Sequence, residues 1–258
     1  MDETTRPLDV AALEAALAGL TLGRPLIYHP AIASTNTEAM ALARQGATEG
    51  TLVTTDEQTS GRGRLGRVWQ SLPNEQLALS FVLHPAFPPH FLVMASALAV
   101  AEAIEAPTGL RPEIKWPNDV LIAGRKVCGI LIETSERIAV LGIGLNVNGS
   151  LAGDPELAAR ATTLADALGH PTAREPLFIE LIQRLDGLYA TLKMGGEQTR
   201  RQIRTAWRER LATIGKQVTI QQIGRAITGV ARDVDESGAL IVETYEGRRE
   251  TINWGDVE

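Results

Sequence analysis

The chain has 258 residues, of which 44% are hydrophobic and 22% are charged, and its formal net charge is −6. A chain of this length can bury a substantial core, in one large domain or in a large domain and a small one. The acidic balance argues against nucleic-acid binding through overall charge, because that mode neutralises phosphates with clustered Lys and Arg. The three arginines at positions 62, 64 and 67, with no acid between them, are therefore a local anomaly.

Several features predict a cytoplasmic protein without membrane contact. The first six residues are too polar and too acidic for a signal peptide. The uncharged run 76–101 is long enough to suggest a membrane span, but three prolines divide it, so a strand, a turn and a buried helix are predicted instead. The single cysteine, Cys128, lies in an apolar stretch and is expected to act as a small buried hydrophobe in a reducing compartment.

Apolar periodicity and turn residues predict the elements in chain order. Helices are predicted at 9–20, from a hydroxyl cap at 34–35 to Gly46, and at 90–105, 155–168, 175–193 and 197–211. Strands are predicted at 26–28, 51–55, 76–83, 112–116, 119–123, 126–133 and 137–147. After Gly215 the pattern changes to short alternating strands at 217–220, 226–231, 239–243 and 250–254, separated by glycine turns. The sequence therefore predicts an α+β domain over residues 1–212 and a small SH3-like β-barrel over 213–258.

The segment Gly61–Trp69 reads GRGRLGRVW and matches two nucleotide-loop patterns, G-x-G-x-x-G and G-x-G-x-x-G-x-V. A dinucleotide fold requires a helix directly after the glycines and an acid about 20 residues onward, and neither occurs here. A kinase requires a His-Arg-Asp loop, and none of the four histidines precedes Arg-Asp. The only Gly-Lys pair, at Gly215, is followed by Gln217 and is not a phosphate-binding P-loop.

Four motifs occur together in one order. They are Gly61–Trp69, Lys115–Asp119 (Lys-Trp-Pro-Asn-Asp), a Lys-x-x-Gly-Ile-Leu pattern beginning at Lys126, and Gly142–Asn146 (Gly-Ile-Gly-Leu-Asn). This ordered set resembles the biotin protein ligase family, whose members adenylate biotin and transfer it to a carrier-protein lysine. The resemblance covers the chain from about Ile27 to its end. It implies a mixed sheet packed with helices, related to class II synthetases, and the β-rich C-terminal unit.

The resemblance also implies roles for individual residues. The biotin-binding set comprises Ser34, Thr35, Asn36, Gln58, Gly61, Arg62, Lys126 and Gly129. A ureido group needs donors and acceptors that are held rigidly, and the cluster at 34–36 offers both, although it also caps a helix. Gly129 is expected to leave room for the ligand beside its strand, or to mark a simple β-bulge.

The same resemblance implies a catalytic set of four cations, Lys126, Arg62, Arg64 and Arg67. Arginine suits bidentate contact with phosphate oxygens, and fixed cations stabilise the negative charge that develops at the α-phosphorus. Lys126 is expected to contact the biotin carboxylate and then the adenylate without becoming a covalent nucleophile.

The nucleotide and metal ends of the site follow from the same motifs. The implied nucleotide-binding residues are Arg64, Arg67, Trp69, Asn118 and Asn146, and the implied Mg²⁺ ligands are Asp119 and Asn118. Trp69 and Trp116 have an equally good interpretation as core residues. A Pro-Asn-Asp turn between strands is the alternative for 118–119.

The substrates implied are biotin and ATP with Mg²⁺, and the implied partner is the biotin carboxyl carrier domain of acetyl-CoA carboxylase or a related carboxylase. Only about 25 residues precede the first catalytic strand, fewer than the DNA-binding module of some relatives needs, so no DNA binding is expected. Leu65 takes a position often held by arginine, and a homodimer is expected from the family. Two alternatives stay open: a lipoate ligase of the same general fold, and a non-catalytic biotin-responsive binding module.

Overall fold

The computed structural model describes residues 4–257, so residues 1–3 and 258 of the two predicted domains lie outside the described part. A seven-stranded sheet forms the centre of the larger unit, with the order β1-β2-β3-β7-β6-β5-β4. Its strands are β1 (Leu26–Ile32), β2 (Leu52–Gln58), β3 (Gln76–Leu83), β4 (Glu113–Lys115), β5 (Asp119–Ile122), β6 (Arg125–Ser135) and β7 (Ile138–Asn146). Only β1 and β2 are parallel among these pairs, and the predicted mixed sheet is therefore confirmed.

Seven helices are described, and they cover both faces of this sheet. They are α1 (Val10–Ala16), α2 (Thr35–Arg44), α3 (His90–Thr108), α4 (Pro155–Arg160), α5 (Leu164–Leu168), α6 (Arg174–Met194) and α7 (Glu197–Glu209). Helix α2 packs on one face through a small cluster that includes Ala39 and Val82, and α3 lies with α6 over the main core on the other face.

Helix α3 is long and apolar enough to cross a membrane by length and composition, but most of it is buried inside the fold. All eight residues of the preceding strand, β3, are buried as well. This arrangement confirms the predicted strand, turn and buried helix over the apolar run, since both elements receive their apolar surroundings from the protein itself.

The single helix predicted over 155–168 is wrong, because the structure divides it into α4 and α5. Ala161 adopts an extended conformation (φ −127°, ψ 161°) and pairs with Lys126 as an isolated bridge. The amide of Thr162 donates a hydrogen bond to the carbonyl of Lys126 at 2.8 Å. The pairing of Ala161 with the start of β6 thus overrides local helix propensity, as tertiary contacts commonly do.

The C-terminal unit is a five-stranded antiparallel sheet with the order β11-β10-β9-β8-β12. Its strands are β8 (Gln217–Gln222), β9 (Arg225–Val234), β10 (Leu240–Thr244), β11 (Arg249–Ile252) and β12 (Asp256–Val257). In the described residues β11 and β12 are not paired with each other, so the unit predicted as a small SH3-like β-barrel is present as an open sheet and the barrel is not closed. The indole nitrogen of Trp116 donates to the carbonyl of Gly238 at 2.9 Å and joins the two units.

A buried ion pair connects β2 to the first residue of α6. Arg174 and Asp56 are 1% and 5% exposed, and Nη2 of the arginine lies 2.8 Å from Oδ1 of the carboxylate. Tyr28 donates its hydroxyl to the same carboxylate, and burial together with this hydrogen bond raises the pKa of Tyr28 to about 12. Arg174 also donates to the carbonyl of Arg6 at 2.6 Å, which ties the N-terminal segment to the sheet.

Replacing Asp56 with Asn should destabilise the protein by about 3–5 kcal/mol, because the buried Arg174 guanidinium would lose its compensating charge. Urea unfolding at pH 7 measures this change. The exposed pair Arg184–Glu102 provides the control, and Glu102→Gln should change the free energy of unfolding by less than about 1 kcal/mol. Equal effects of the two substitutions would contradict the assignment of Asp56 as a structural anion.

Candidate active site

One pocket on the sheet brings together most of the residues that the sequence motifs singled out. It lies where the N-terminus of α2, the segment 61–69, and strands β5, β6 and β7 converge. The predicted site residues that line it are Ser34, Thr35, Asn36, Gln58, Arg62, Arg64, Arg67, Trp69, Asn118, Asp119, Lys126 and Gly129. Residues more than 90 positions apart in the chain thus share a single cavity.

The first wall of the pocket is the N-terminus of α2. Ser34 is the N-cap, and its hydroxyl oxygen accepts from the amide of Thr37 at 3.5 Å. Thr35 donates its amide and its hydroxyl to Oε1 of Gln58, at 2.9 and 3.1 Å. The helix terminus and the end of β2 are therefore locked together, and capping and pocket lining coexist in the same residues.

Asn36 is oriented by two residues that the sequence motifs did not include. Its Oδ1 accepts from the hydroxyl of Ser80 at 2.6 Å, and its Nδ2 donates to Oε2 of Glu133 at 2.9 Å. The side chain sits directly over Gly142, where a Cβ atom would lie 2.1 Å from Oδ1 of Asn36. The available sequence signals were Ser80, a hydroxyl inside the apolar run 76–83, and Glu133, the acid in the strand predicted at 126–133.

Each of the four predicted catalytic cations contacts a protein acceptor. Arg62 pairs with Glu133 at 3.1 Å, and Lys126 pairs with Asp119 at 2.7 Å. The two remaining contacts are Arg64 to Oδ1 of Asn118 at 2.9 Å and Arg67 to Asp256 at 2.5 Å.

The pocket holds these cations in different surroundings. Burial lowers the pKa of Arg64 from its ordinary value, and the carboxylates of Asp256 and Asp119 oppose that shift. Arg67 is 66% exposed, so its contact with the C-terminal sheet is worth little in stability. Three of the four cations thus face carboxylates, and Arg64 alone faces a neutral amide oxygen.

Trp69 forms the far wall of the pocket. Its ring packs on bare backbone, and a Cβ atom at Gly144 would lie 2.7 Å from the ring, while one at Gly129 would lie 3.2 Å from it. Nζ of Lys126 stands 5.7 Å from the ring centroid, within range of a cation–π interaction. A second cavity lies beyond the ring, bounded by Trp69, Lys126, Asn146 and the α4 segment.

Two predicted residues are placed outside the main pocket. Asn146 lines the second cavity and donates Nδ2 to the carbonyl of Thr162 at 3.1 Å. Gly61 shapes the pocket indirectly, because its carbonyl accepts from the amide of Trp69 at 2.9 Å. Trp116, in contrast, is 2% exposed and belongs to the core.

Cys128 is buried, as expected of a small hydrophobe, and burial raises the pKa of its thiol well above the usual range. A thiol with a raised pKa is a poor nucleophile.

The described residues contain no group of three or more His, Cys, Asp or Glu side chains that could hold a metal ion alone. Two carboxylates line the pocket, Asp119 and Asp256, and Asp119 follows Asn118 directly in the chain. Both polar ends of Asn118 are engaged, since Oδ1 accepts from Arg64 and Nδ2 donates to the carbonyl of Ile130 at 2.6 Å. This donor set fits only a cation whose other ligands come from substrate oxygens and water.

The chain is similar to known proteins over both of its units. The family pattern of the Biotin/lipoate A/B protein ligase family matches residues 28–150, and that of the biotin protein ligase C-terminal domain matches residues 213–258. The biotin–[acetyl-CoA-carboxylase] ligase of Mycobacterium tuberculosis is 32% identical over 266 residues, covering 99% of this chain and 97% of the relative. The bifunctional ligase/repressor BirA of Bacillus spizizenii is 35% identical, covering 92% of this chain and 74% of the relative.

A solved structure supports the same relationship. The biotin protein ligase from Aquifex aeolicus in complex with biotin and ATP superposes with a TM-score of 0.80 at 30% sequence identity, covering 91% of this chain and 98% of that one. The predicted fold class and ligase function are confirmed at the level of the family. The chain therefore belongs to the biotin protein ligase family.

Proposed function

We propose that this chain joins biotin to one lysine of a carrier domain in two steps. In the first, a biotin carboxylate oxygen attacks the α-phosphorus of ATP, forming biotinyl-5′-adenylate and releasing pyrophosphate. In the second, the carrier lysine amine attacks the acyl carbon, and AMP leaves as an amide forms. The observation that carries this proposal is the convergence, in one pocket, of a rigid polar cluster at 34–36 with the four cations of the glycine-rich loop and β6.

The polar end of the pocket is proposed to bind the biotin rings. Thr35 and Gln58 are fixed by their mutual hydrogen bonds, and Asn36 is fixed by Ser80 and Glu133. A preorganised set of donors and acceptors binds a ureido group with little loss of side-chain entropy. Ser34 joins them at the N-cap, Gly61 supports the loop, and Gly129 keeps the sheet surface open.

The cationic end is proposed to receive the carboxylate and the phosphates. Arg62 and Lys126 would turn from Glu133 and Asp119 toward the biotin carboxylate, and Arg64 and Arg67 toward the phosphates. Fixed positive charge near the α-phosphorus stabilises the transition state more than the ground state, and this difference lowers the barrier. The nucleotide would extend past Trp69 toward Asn146, and Asn118, in the turn before β5, would contact it.

Mg²⁺ is proposed to enter with ATP. Asp119 would supply a carboxylate ligand, and Asn118 would stay near the phosphates, held in place by Ile130. The ion supplies charge neutralisation at the phosphates when bound. Asp119 would be the residue that holds the ion, and Lys126, whose Nζ now pairs with Asp119 at 2.7 Å, would contact the reacting carboxylate.

The proposed carrier is the biotin carboxyl carrier domain of acetyl-CoA carboxylase or a related carboxylase. We assign the chemistry to residues 1–212 and a closing role to 213–258, because Asp256 reaches the loop through Arg67. The formal charge of −6 gives little support for DNA contact. We also propose that the protein is cytoplasmic and that it forms a homodimer.

The direct test is a reaction containing the protein, Mg-ATP, biotin and a biotin carboxyl carrier domain, in which the mass of the carrier is followed over time. A biotin-sized gain on one carrier lysine is expected, and Lys126→Ala should abolish it. Lipoate is supplied in a parallel reaction. A lipoate-sized gain would reassign the substrate, and no pyrophosphate release with either acid would leave only a binding module.

Arg64→Gly should release biotinyl-adenylate about tenfold faster or more, because a charge-assisted contact to the phosphate end would be lost. The measurement is the rate of adenylate release into solution, with untargeted lysine biotinylation of an added bystander protein as a second readout. Arg137, exposed in the turn between β6 and β7, offers a matched arginine control. Unchanged release from the Arg64 variant would refute its phosphate role.

Two substitutions at Glu133 should have opposite effects on biotin binding. Glu133→Gln keeps an acceptor for Asn36 but removes the anion that competes for Arg62, so the KM for biotin should fall up to about fivefold. Glu133→Ala also removes the Asn36 contact, so the KM should rise. Steady-state kinetics at saturating ATP separates the two, and a change in the same direction for both variants would contradict the dual role.

A further inference from the structure

Gln76 contacts the end of the glycine-rich loop through both ends of its side-chain amide. It is the first residue of β3 and only 4% exposed. Its Oε1 accepts from the indole Nε1 of Trp69 at 3.1 Å, and its Nε2 donates to the carbonyl of Gln70 at 2.9 Å. Because one end of an amide accepts and the other donates, a single orientation satisfies both contacts. The amide therefore fixes two consecutive loop residues.

The position of Gln76 is set from outside the loop. Its backbone pairs with Asn146 of β7, and its carbonyl accepts from Nη1 of Arg174 at 3.0 Å. Arg174 is itself held by the buried carboxylate of Asp56. The anchor for the end of the loop thus belongs to the sheet and its buried ion pair.

The middle of the loop is held by exchangeable arginine contacts, Arg64 to Asn118 and Arg67 to Asp256, and its apolar side chains are exposed. Leu65 is 56% exposed and Val68 is 78% exposed, and the backbone at Leu65 lies in the left-handed region with φ 55°. The loop end at Trp69, in contrast, is held by the amide of Gln76 and by the carbonyl of Gly61. Motion of the loop over a ligand would therefore pivot about a fixed indole.

The fixed indole has a defined place between two cavities. The main pocket, with Ser34 and Gln58, and the second cavity, with Asn146, are both bounded by Trp69 and Lys126. A ligand that occupies both cavities must pass the edge of this ring. The orientation of the ring consequently sets the width of the passage and the position of the Lys126 stem beside it.

We propose that Gln76 is a positioning residue for the adenylation site: it holds the Trp69 indole as a fixed wall between the two cavities and so sets how firmly the adenylate is retained. The inference rests on the proposed ligase function. Gln76 acts through Trp69 and Gln70, and its contribution is distinct from the charge that the arginines supply.

The test uses Gln76→Met, which keeps the length of the side chain but cannot donate to Gln70 and offers the indole only a weak thioether acceptor. Loss of these hydrogen bonds should speed release of bound biotinyl-adenylate about three- to tenfold, with the KM for the carrier unchanged. The ¹⁵N–¹H indole resonance of Trp69 should shift and exchange faster with solvent. In a Trp69→Phe background, where the N–H donor is absent, Gln76→Met should have a smaller effect on release.

The matched control is Thr54→Val, on the neighbouring strand. Thr54 is fully buried and donates its hydroxyl to the carbonyl of Ala78 at 3.0 Å, so its replacement removes a buried hydrogen bond without touching the loop. Release at the wild-type rate is expected for this variant. Equal acceleration in both variants would show general destabilisation and overturn the inference, as would wild-type release from Gln76→Met with a displaced indole signal. If wild-type protein forms no adenylate at all, the ligase proposal itself fails, and this inference fails with it.

Discussion

The site depends on the close approach of large side chains to the bare backbone of β6 and β7. Asn36 and Trp69 lie where side chains of residues 142 and 144 would otherwise stand, and any Cβ atom there would meet them at 2.1 and 2.7 Å. Contacts this short leave no room for a methyl group without displacement of the neighbour. The surface of the sheet is therefore flat at this point, and the pocket exists because β7 carries glycine at 142 and 144 and β6 carries it at 129.

Polar side chains around this flat surface hold Asn36 and Trp69 in place. Ser80 and Glu133 orient Asn36, and Gln76 orients Trp69. Because buried polar groups are costly when unpaired, such a network specifies one arrangement of the wall and the floor. The cations differ, since each holds a protein partner that an anionic substrate can replace. The pocket thus combines a rigid binding surface with cationic side chains that can exchange their protein partners for a substrate.

Much of the fold was predictable from the sequence because its elements carry strong local signals. The alternation after Gly215 predicted the C-terminal strands, and the prolines in the run 76–101 separated a strand from a buried helix. The helix predicted at 155–168 was wrong, since the bridge between Ala161 and Lys126 joins residues that are far apart in sequence. Local propensity contains no information about such a contact.

The site residues also divide into those that local sequence signals identify and those whose roles depend on contacts with distant residues. Twelve of the predicted residues line one pocket, because the motifs mark the polar ends of strands and the loop. Ser80, Glu133 and Gln76 were missed, since each is a polar residue within a strand and its role depends on a partner from another element. Asp256 was missed because its contact with Arg67 spans 189 residues. Sequence patterns identify the residues that face the ligand more readily than those that hold them.

The most direct measurement is a crystal structure with an unreactive analogue of biotinyl-adenylate. We expect the biotin rings to lie against Ser34, Thr35 and Asn36, and the nucleotide base to lie beyond the Trp69 ring on the side of Asn146. Nζ of Lys126 should lie within hydrogen-bond distance of the linkage that replaces the mixed anhydride, having left Asp119. An analogue bound outside these two cavities, or bound with Lys126 still paired to Asp119 and distant from the linkage, would contradict this assignment.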